Sequence, residues 1–252
     1  MPPEHSNSDG IVSDSHYTTL INQTPPDAWK NYQKQVNWMI RYAGRPERIL
    51  DLGAGLGFFV KCCVENGFNA VALEGARAAV DYGKTMGIDI KIHNLKDPIP
   101  YENESFDYIE YSGVFEHVPD EINENVFKEA FRVLKPGGMM YVFAPSRYNI
   151  SENNYTEGHI NCPTPTRLEN FGKHIGFEVK MIKPKFNISL FTPWPKLPWH
   201  VPVRHFCKRH KGKISRYMAV ITKPLWMLRN TSFHFEIFDV FHESSMAMFR
   251  KP

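Results

Sequence analysis

Ile49-Leu50-Asp51-Leu52 is a short apolar run that empties into Gly53-Ala54-Gly55-Leu56-Gly57, three glycines at alternate positions with a helical pattern behind them. Glycines in such a turn let the chain reverse sharply and let a ligand touch the main chain where a side chain would collide. The G-x-G-x-G spacing is not the G-x-G-x-x-G of dinucleotide folds, and no Gly-Lys-Ser/Thr follows, which excludes a P-loop. Glu74 closes the next apolar run, about 20 residues on, where a carboxylate accepts hydrogen bonds from both hydroxyls of a ribose. A glycine turn followed by an acidic strand end is the first pointer to a ribose-bearing ligand.

These residues need a scaffold, and the pattern around them supplies one. Short apolar runs stand at Arg48–Leu52, Ala70–Glu74, Ile88–Ile92, Phe106–Tyr111, Met139–Ala144 and Phe177–Ile182. Helical periodicity fills the gaps at about Gly57–Asn66, Ala76–Met86, Glu121–Leu134 and Pro165–Ile175. Alternation at this spacing predicts a doubly wound α/β fold with a parallel sheet covered on both faces. Ahead of it, Thr24 offers an N-cap, and Trp29, Tyr32, Val36, Met39, Ile40 and Ala43 recur at helical spacing, predicting an amphipathic helix over Pro25–Tyr42. Residues 1–24 read as a mobile tail or a segment that orders over a ligand, with 25–252 as one domain. Phe233–Phe241 and Met246–Arg250 read as a hairpin completing the sheet edge.

The chain has 252 residues, 42% hydrophobic and 23% charged, enough for one sizeable core. The sequence shows neither an apolar run of membrane-spanning length nor an N-terminal apolar segment, so the expected location is cytoplasmic. Cys62, Cys63, Cys162 and Cys207 form no CxxC pair and are expected as reduced thiols. The net charge of +3 hides an asymmetry. Val179–Phe235 holds 12 of the 30 basic residues and none of the 27 acidic ones, so it carries +12 against −9 elsewhere.

With five ordered stretches on the page, the chain resembles the class I S-adenosylmethionine-dependent methyltransferases over about 48–182. The glycine turn with Glu74 is the first. Pro98-Ile-Pro-Tyr101 with Ser105-Phe-Asp-Tyr108 is similar to the segment leading into strand four, and Ser112-Gly-Val-Phe-Glu-His-Val-Pro119 to the loop after it. Phe131-Arg-Val-Leu-Lys-Pro-Gly-Gly138 resembles the turn before strand five, and Gly158-His-Ile-Asn-Cys-Pro-Thr-Pro165 with Ile175-Gly-Phe177 resembles a loop of members acting on small molecules and glycans. The resemblance implies a seven-stranded, mostly parallel sheet and S-adenosyl-L-methionine as cofactor. It places Asp51, Gly53, Ala54 and Gly55 at the cofactor's methionine end and Glu74 on its ribose. Gly75 and Ala76 border the adenine, with Asn94 and Leu95 beside it, Asn94 accepting through an uncharged amide oxygen. Ser112 and Gly113 pass under the sulfonium.

The methyl carbon of a sulfonium is already electrophilic, so alignment does most of the work, and a base is needed only for a hydroxyl or a neutral amine. The resemblance puts His117 and His159 on the acceptor side, and imidazole is suited to that proton. In relatives acting on phenolic lipid head groups an ExxEH pattern in the strand-four loop holds a divalent metal. Gly113 stands at its first acidic position here, so no metal is expected. His16, Tyr17, Trp29 and Tyr32 are candidates to close over the pocket.

Lys183–Asn230 joins positive charge to six prolines and to Trp194, Trp199 and Trp226, and reads as a basic cap over 183–230. A phosphate-bearing small molecule or glycan, an anionic membrane surface, and nucleic acid all fit that chemistry, as does a solvated basic face. Nucleic acid ranks low because the strand-four loop lacks the Asn/Asp-Pro-Pro-Tyr/Phe pattern of base-methylating relatives. The expected activity is methyl transfer to a hydroxyl or amine of a small-molecule, glycan or lipid-linked acceptor, anionic in character, with peripheral membrane contact through 183–230. The alternative is a membrane- or nucleic-acid-associated binding protein with little turnover.

Overall fold

The structure is a computed structural model that describes residues 13–145, 159–182 and 244–252. Seven strands, β1 (Arg48–Leu52), β2 (Asn69–Glu74), β3 (Asp89–Ile92), β4 (Phe106–Ser112), β5 (Leu134–Pro145), β6 (Glu178–Met181) and β7 (Ser244–Arg250), form one sheet in the order β3-β2-β1-β4-β5-β7-β6. The first five pair in parallel, and β7 runs antiparallel to both β5 and β6. This is the mixed, mostly parallel seven-stranded sheet expected.

The helices are α1 (Asp14–Gln23), α2 (Gln33–Ala43), α3 (Phe58–Glu65), α4 (Arg77–Thr85), α5 (Asp120–Val133) and α6 (Pro165–Ile175). Strand residues alternate between two cores because consecutive side chains leave a strand on opposite faces. Leu50, Leu52, Ile109 and Tyr111 pack with Val126 and Phe127 of α5 and Leu168 of α6. Ile49, Ala70, Ala72 and Tyr108 pack with Val36 and Met39 of α2 and Phe59, Val60, Cys62 and Cys63 of α3. Strands covered on both sides explain the near-continuous apolar runs of β1 and β2. Asp51 belongs to the second of these faces, and that placement governs the site.

Three expectations change. Residues 14–23, read as a mobile tail or a segment that orders over a ligand, form α1: Ser13 accepts from His16 N as N-cap, and Asp14 Oδ1 accepts from Ala78 N at the start of α4, so docking supplies order that a polar sequence lacks. The helix expected over 25–42 is a 3₁₀ turn at Ala28–Tyr32 followed by α2, with Thr24 closing α1 instead of opening the next helix. The last strand does not complete the sheet edge. Ala247 and Phe249 are fully buried, and β7 inserts between β5 and β6, leaving β6 outermost; the partner run Phe233–Phe241 lies outside the described residues. The 183–230 cap also lies outside them.

Candidate active site

The order of the sheet reverses between β1 and β4, and in open α/β sheets ligands bind beyond the carboxyl ends of the strands at such a point. The glycine turn after β1, Glu74 at the end of β2, Asn94 and Leu95 after β3, and Ser112 and Gly113 at the end of β4 all lie at that end. The turn itself is fully committed. Gly53 N and Ala54 N both donate to Leu73 O, at 2.8 and 3.2 Å. Gly55 N donates to Glu74 Oε2 at 2.8 Å, and Ala76 N donates to Oε1 at 2.9 Å. Backbone donors that would otherwise face an anion are therefore consumed by β2, and what the turn presents is carboxylate and open space. Gly53 and Gly57 take left-handed φ of 71° and 78°, and a Cβ at Gly53 would stand 2.6 Å from Val114 of the strand-four loop. The turn and that loop are thus packed on each other without room for a side chain.

Three carboxylates are buried here: Asp51, Glu74 and Glu110, exposed by 4%, 6% and 2%. Asp51 and Glu110 are register partners on adjacent strands. Burial, and then the neighbouring Glu74, push the Asp51 carboxyl up to about 8. Burial raises Glu74 too, opposed by the backbone N–H groups that donate to it. Glu110 is raised well above the usual range by burial and by Asp51, while Tyr108 Oη at 2.8 Å and Gln35 Nε2 at 3.1 Å donate to it. Gln35 also donates to Ser112 Oγ at 3.3 Å, tying α2 to the end of β4. None of the ion pairs among the described residues joins a Lys or Arg to these three carboxylates. A buried carboxyl without a basic partner, as Asp51 is among the described residues, is costly to ionise, and a cationic ligand would relieve that cost.

The N-terminal elements reach the same place. A Cβ on Gly55 would meet Tyr17 Oη at 3.5 Å, so α1 stands over the turn. Burial, followed by Glu74, Tyr32 and Asp51, keeps the Tyr17 phenol protonated, and Tyr32 is raised by burial, Asp51 and Glu110. Of the residues expected to close the pocket, Tyr17 and Tyr32 lie beside the carboxylates, His16 is exposed, and Trp29 packs into the neighbouring cores. Asn94 turns its amide oxygen onto Lys96 N at 3.0 Å, and Leu95 packs against the α5 side of the core.

A second cluster lies on the strand-four side. After Gly113, a single 3₁₀ turn at Phe115–His117 presents Glu116 and His117 in succession. Ile160 N and Asn161 N donate to Glu116 O at 2.8 and 3.0 Å, which pins the following loop against the turn and brings the His159 ring within 4.8 Å of the His117 ring, centroid to centroid. A Cβ at Gly113 would stand 3.9 Å from Glu116 Oε1, so the cluster adjoins the residue at the end of β4. The two histidines singled out in the sequence, 42 positions apart, are thus brought together with a buried carboxylate.

Residues 50–142 match the methyltransferase domain family. A probable S-adenosylmethionine-dependent methyltransferase of Mycolicibacterium smegmatis is 30% identical over 145 residues, 56% of this chain and 54% of that protein. A ubiquinone biosynthesis O-methyltransferase of Xanthomonas oryzae pv. oryzae is 26% identical over 106 residues, 40% of this chain and 44% of that protein. The chain thus spans about half the length of these relatives. Among solved structures, a SAM-dependent methyltransferase from Archaeoglobus fulgidus superposes with a TM-score of 0.60 at 13% identity, covering 88% of this chain and 94% of that one. Residues 50–142 thus carry a methyltransferase domain, and the fold around them is that of the Archaeoglobus fulgidus protein.

The cofactor of this methyltransferase domain is S-adenosyl-L-methionine, and the donor set fits it. Asp51, buried and without a basic partner among the described residues, would hold the ligand's ammonium, and Glu74, pinned by two N–H groups, would keep lone pairs for ribose hydroxyls. When bound, the cofactor supplies an electrophilic methyl carbon. The sequence pointed to Asp51 and Glu74 but not to Glu110 or Gln35. The signal available for Glu110 was a lone acid inside the apolar run of a buried strand.

A pH dependence follows from Asp51. An acid whose folded value is raised from 3.8 to about 8 binds its proton more tightly folded than unfolded, so ligand-free stability falls as pH climbs through that interval. A cationic ligand favours the ionised form, so the rise in melting temperature on adding cofactor should widen between pH 6 and 8. Thermal denaturation across pH checks this, and Asp51→Asn should flatten the trend. A gap of constant size in the unaltered protein would rule the pairing out.

Proposed function

We propose that the protein transfers a methyl group from S-adenosyl-L-methionine to a hydroxyl of a small-molecule, glycan or lipid-linked acceptor. The observation that carries this reading is the Glu116, His117 and His159 cluster, set beside the residue at the end of β4. An acceptor oxygen reacts well only when its proton is given up, and this cluster is where that happens. The buried carboxylates and the glycine turn fix the donor, and the cluster acts on the acceptor.

The charge of the chain supports an anionic acceptor. The +12 of Val179–Phe235 suits phosphate or carboxylate groups, and its tryptophans suit a sugar face or the head-group layer of a membrane. The protein then works in the cytoplasm, against a membrane surface when the acceptor is lipid-linked.

The test is release of S-adenosylhomocysteine with a panel of anionic sugar, glycan and lipid-linked alcohols. With the correct acceptor, His117→Ala and His159→Ala should each lower kcat by about a hundredfold or more while leaving cofactor Kd within about threefold. Rates near those of the unaltered protein in both variants would overturn the assignment.

A further inference from the structure

We propose that Glu116, His117 and His159 form a binding site for a divalent ion of the zinc class. No metal is expected from the sequence, because the strand-four loop offers only Glu116 and His117, with Gly113 ahead of them. Folding supplies a third ligand from elsewhere. One ligand atom from each of Glu116, His117 and His159 lies within 4.8 Å of the others, and among the described residues these three make up the group of histidine, cysteine or acidic side chains so arranged.

The two loops are locked before any ion arrives. Both Ile160 N and Asn161 N donate to Glu116 O, Asn161 Nδ2 donates to Val118 O at 3.0 Å and to Asp120 Oδ1 at 2.8 Å, and Arg167 pairs with the same Asp120 oxygen. Farther along, Ser245 Oγ of β7 donates to Pro163 O at 3.0 Å. Glu116 is buried while both histidines are half-buried, so the carboxylate forms the floor of the site and the imidazoles its open side. Ligand atoms at about 2.1 Å from a tetrahedral ion stand roughly 3.4 Å apart, so closure asks side-chain rotations of about an ångström. Two imidazoles and one carboxylate suit zinc, cobalt or iron better than magnesium or calcium, and three protein ligands among the described residues leave a tetrahedral ion one further position.

The role assigned to that position rests on the methyl-transfer reading. An acceptor hydroxyl that coordinates there loses its proton to solvent more readily. Its oxygen lone pair then forms the new C–O bond as the methyl–sulfur bond breaks with its electron pair remaining on sulfur. The cluster lowers the acceptor's proton affinity through the ion, and neither imidazole has to carry the proton itself.

The experiment uses the full chain, stripped with a chelator and titrated with Zn²⁺ by calorimetry and with Co²⁺ by visible absorption. One ion per chain with a Kd below about a micromolar is expected, along with cobalt bands more intense than those of the aqueous ion and bleached by Zn²⁺. Affinity should fall about a hundredfold or more in His159→Ala and Glu116→Gln and stay unchanged in His174→Ala, a substitution on the exposed side of α6. The cobalt spectrum of the unaltered chain decides the matter even if a variant fails to fold. Absence of stoichiometric binding, or binding that survives both substitutions, overturns the site. Cofactor titrations run in parallel keep the two readings apart: intact cofactor binding without metal binding removes the metal alone, whereas loss of cofactor binding by the unaltered chain removes the methyl-transfer reading.

Discussion

Glu74→Ala is expected to weaken S-adenosyl-L-methionine about a thousandfold, measured as Kd by calorimetry. The carboxylate closes the glycine turn and, in the proposed reading, also holds the ribose hydroxyls, and hydrogen bonds to a charged partner contribute about 1.5–3 kcal/mol each. Losing two of them from the ligand costs about 4 kcal/mol, which is close to three decades in Kd. Truncation also strands Gly55 N and Ala76 N, which now donate to its two oxygens. For that reason Glu74→Gln should rescue poorly. An amide nitrogen would have to face one of those N–H donors, so a loss of at least about fiftyfold is expected there as well. Retention of near-normal affinity by Glu74→Gln would mean that the acid serves the ligand through a single oxygen.

Asn123→Leu should lower the melting temperature by about 10 °C and turnover by more than cofactor affinity. Asn123 of α5 is fully buried, donates from Nδ2 to Phe115 O and Val118 O, both at 3.1 Å, and accepts from Tyr111 Oη at 2.8 Å. Burial and the Glu116 charge keep the Tyr111 phenol protonated, so it needs that acceptor. Leucine fills the space but takes the partner from the Phe115 carbonyl and the Tyr111 hydroxyl, at about 1–3 kcal/mol each, while Val118 O keeps Asn161 Nδ2. The sum, about 4 kcal/mol, corresponds to roughly 8–16 °C in a chain of this size. Because Asn123 ties down both ends of the turn that presents Glu116 and His117, its loss loosens the acceptor side first. Equal losses in kcat and cofactor affinity would mean that its role is general stability alone.

Helix and strand periods repeat within a few residues, which is why β1 to β4 and α3 to α6 were legible to within a residue or two in the sequence. Asp51 and Glu74 were legible for a related reason, since each lies at a strand end beside a glycine turn. Glu110 was not: within Phe106–Ser112 it looks like an interruption of an apolar run, and only the register that sets it opposite Asp51 makes it part of the site. Residues 14–23 have little apolar content of their own, and the order of α1 comes from contacts with α4 and Gly55 more than 30 residues away.

The sequence by itself determined the class of fold, the family and the cofactor, because each depends on short patterns that survive without neighbours. The tertiary structure decided which charges face one another. Pairing of β1 with β4 and with β2 gathers the buried Asp51, Glu110 and Glu74 carboxyl groups at one place, and the packing of one loop on another brings His159 to Glu116 and His117. Electrostatic and ligand geometry depend on distances of a few ångströms between residues far apart in the chain. Such distances are fixed only when the strands that carry the loops have taken their places.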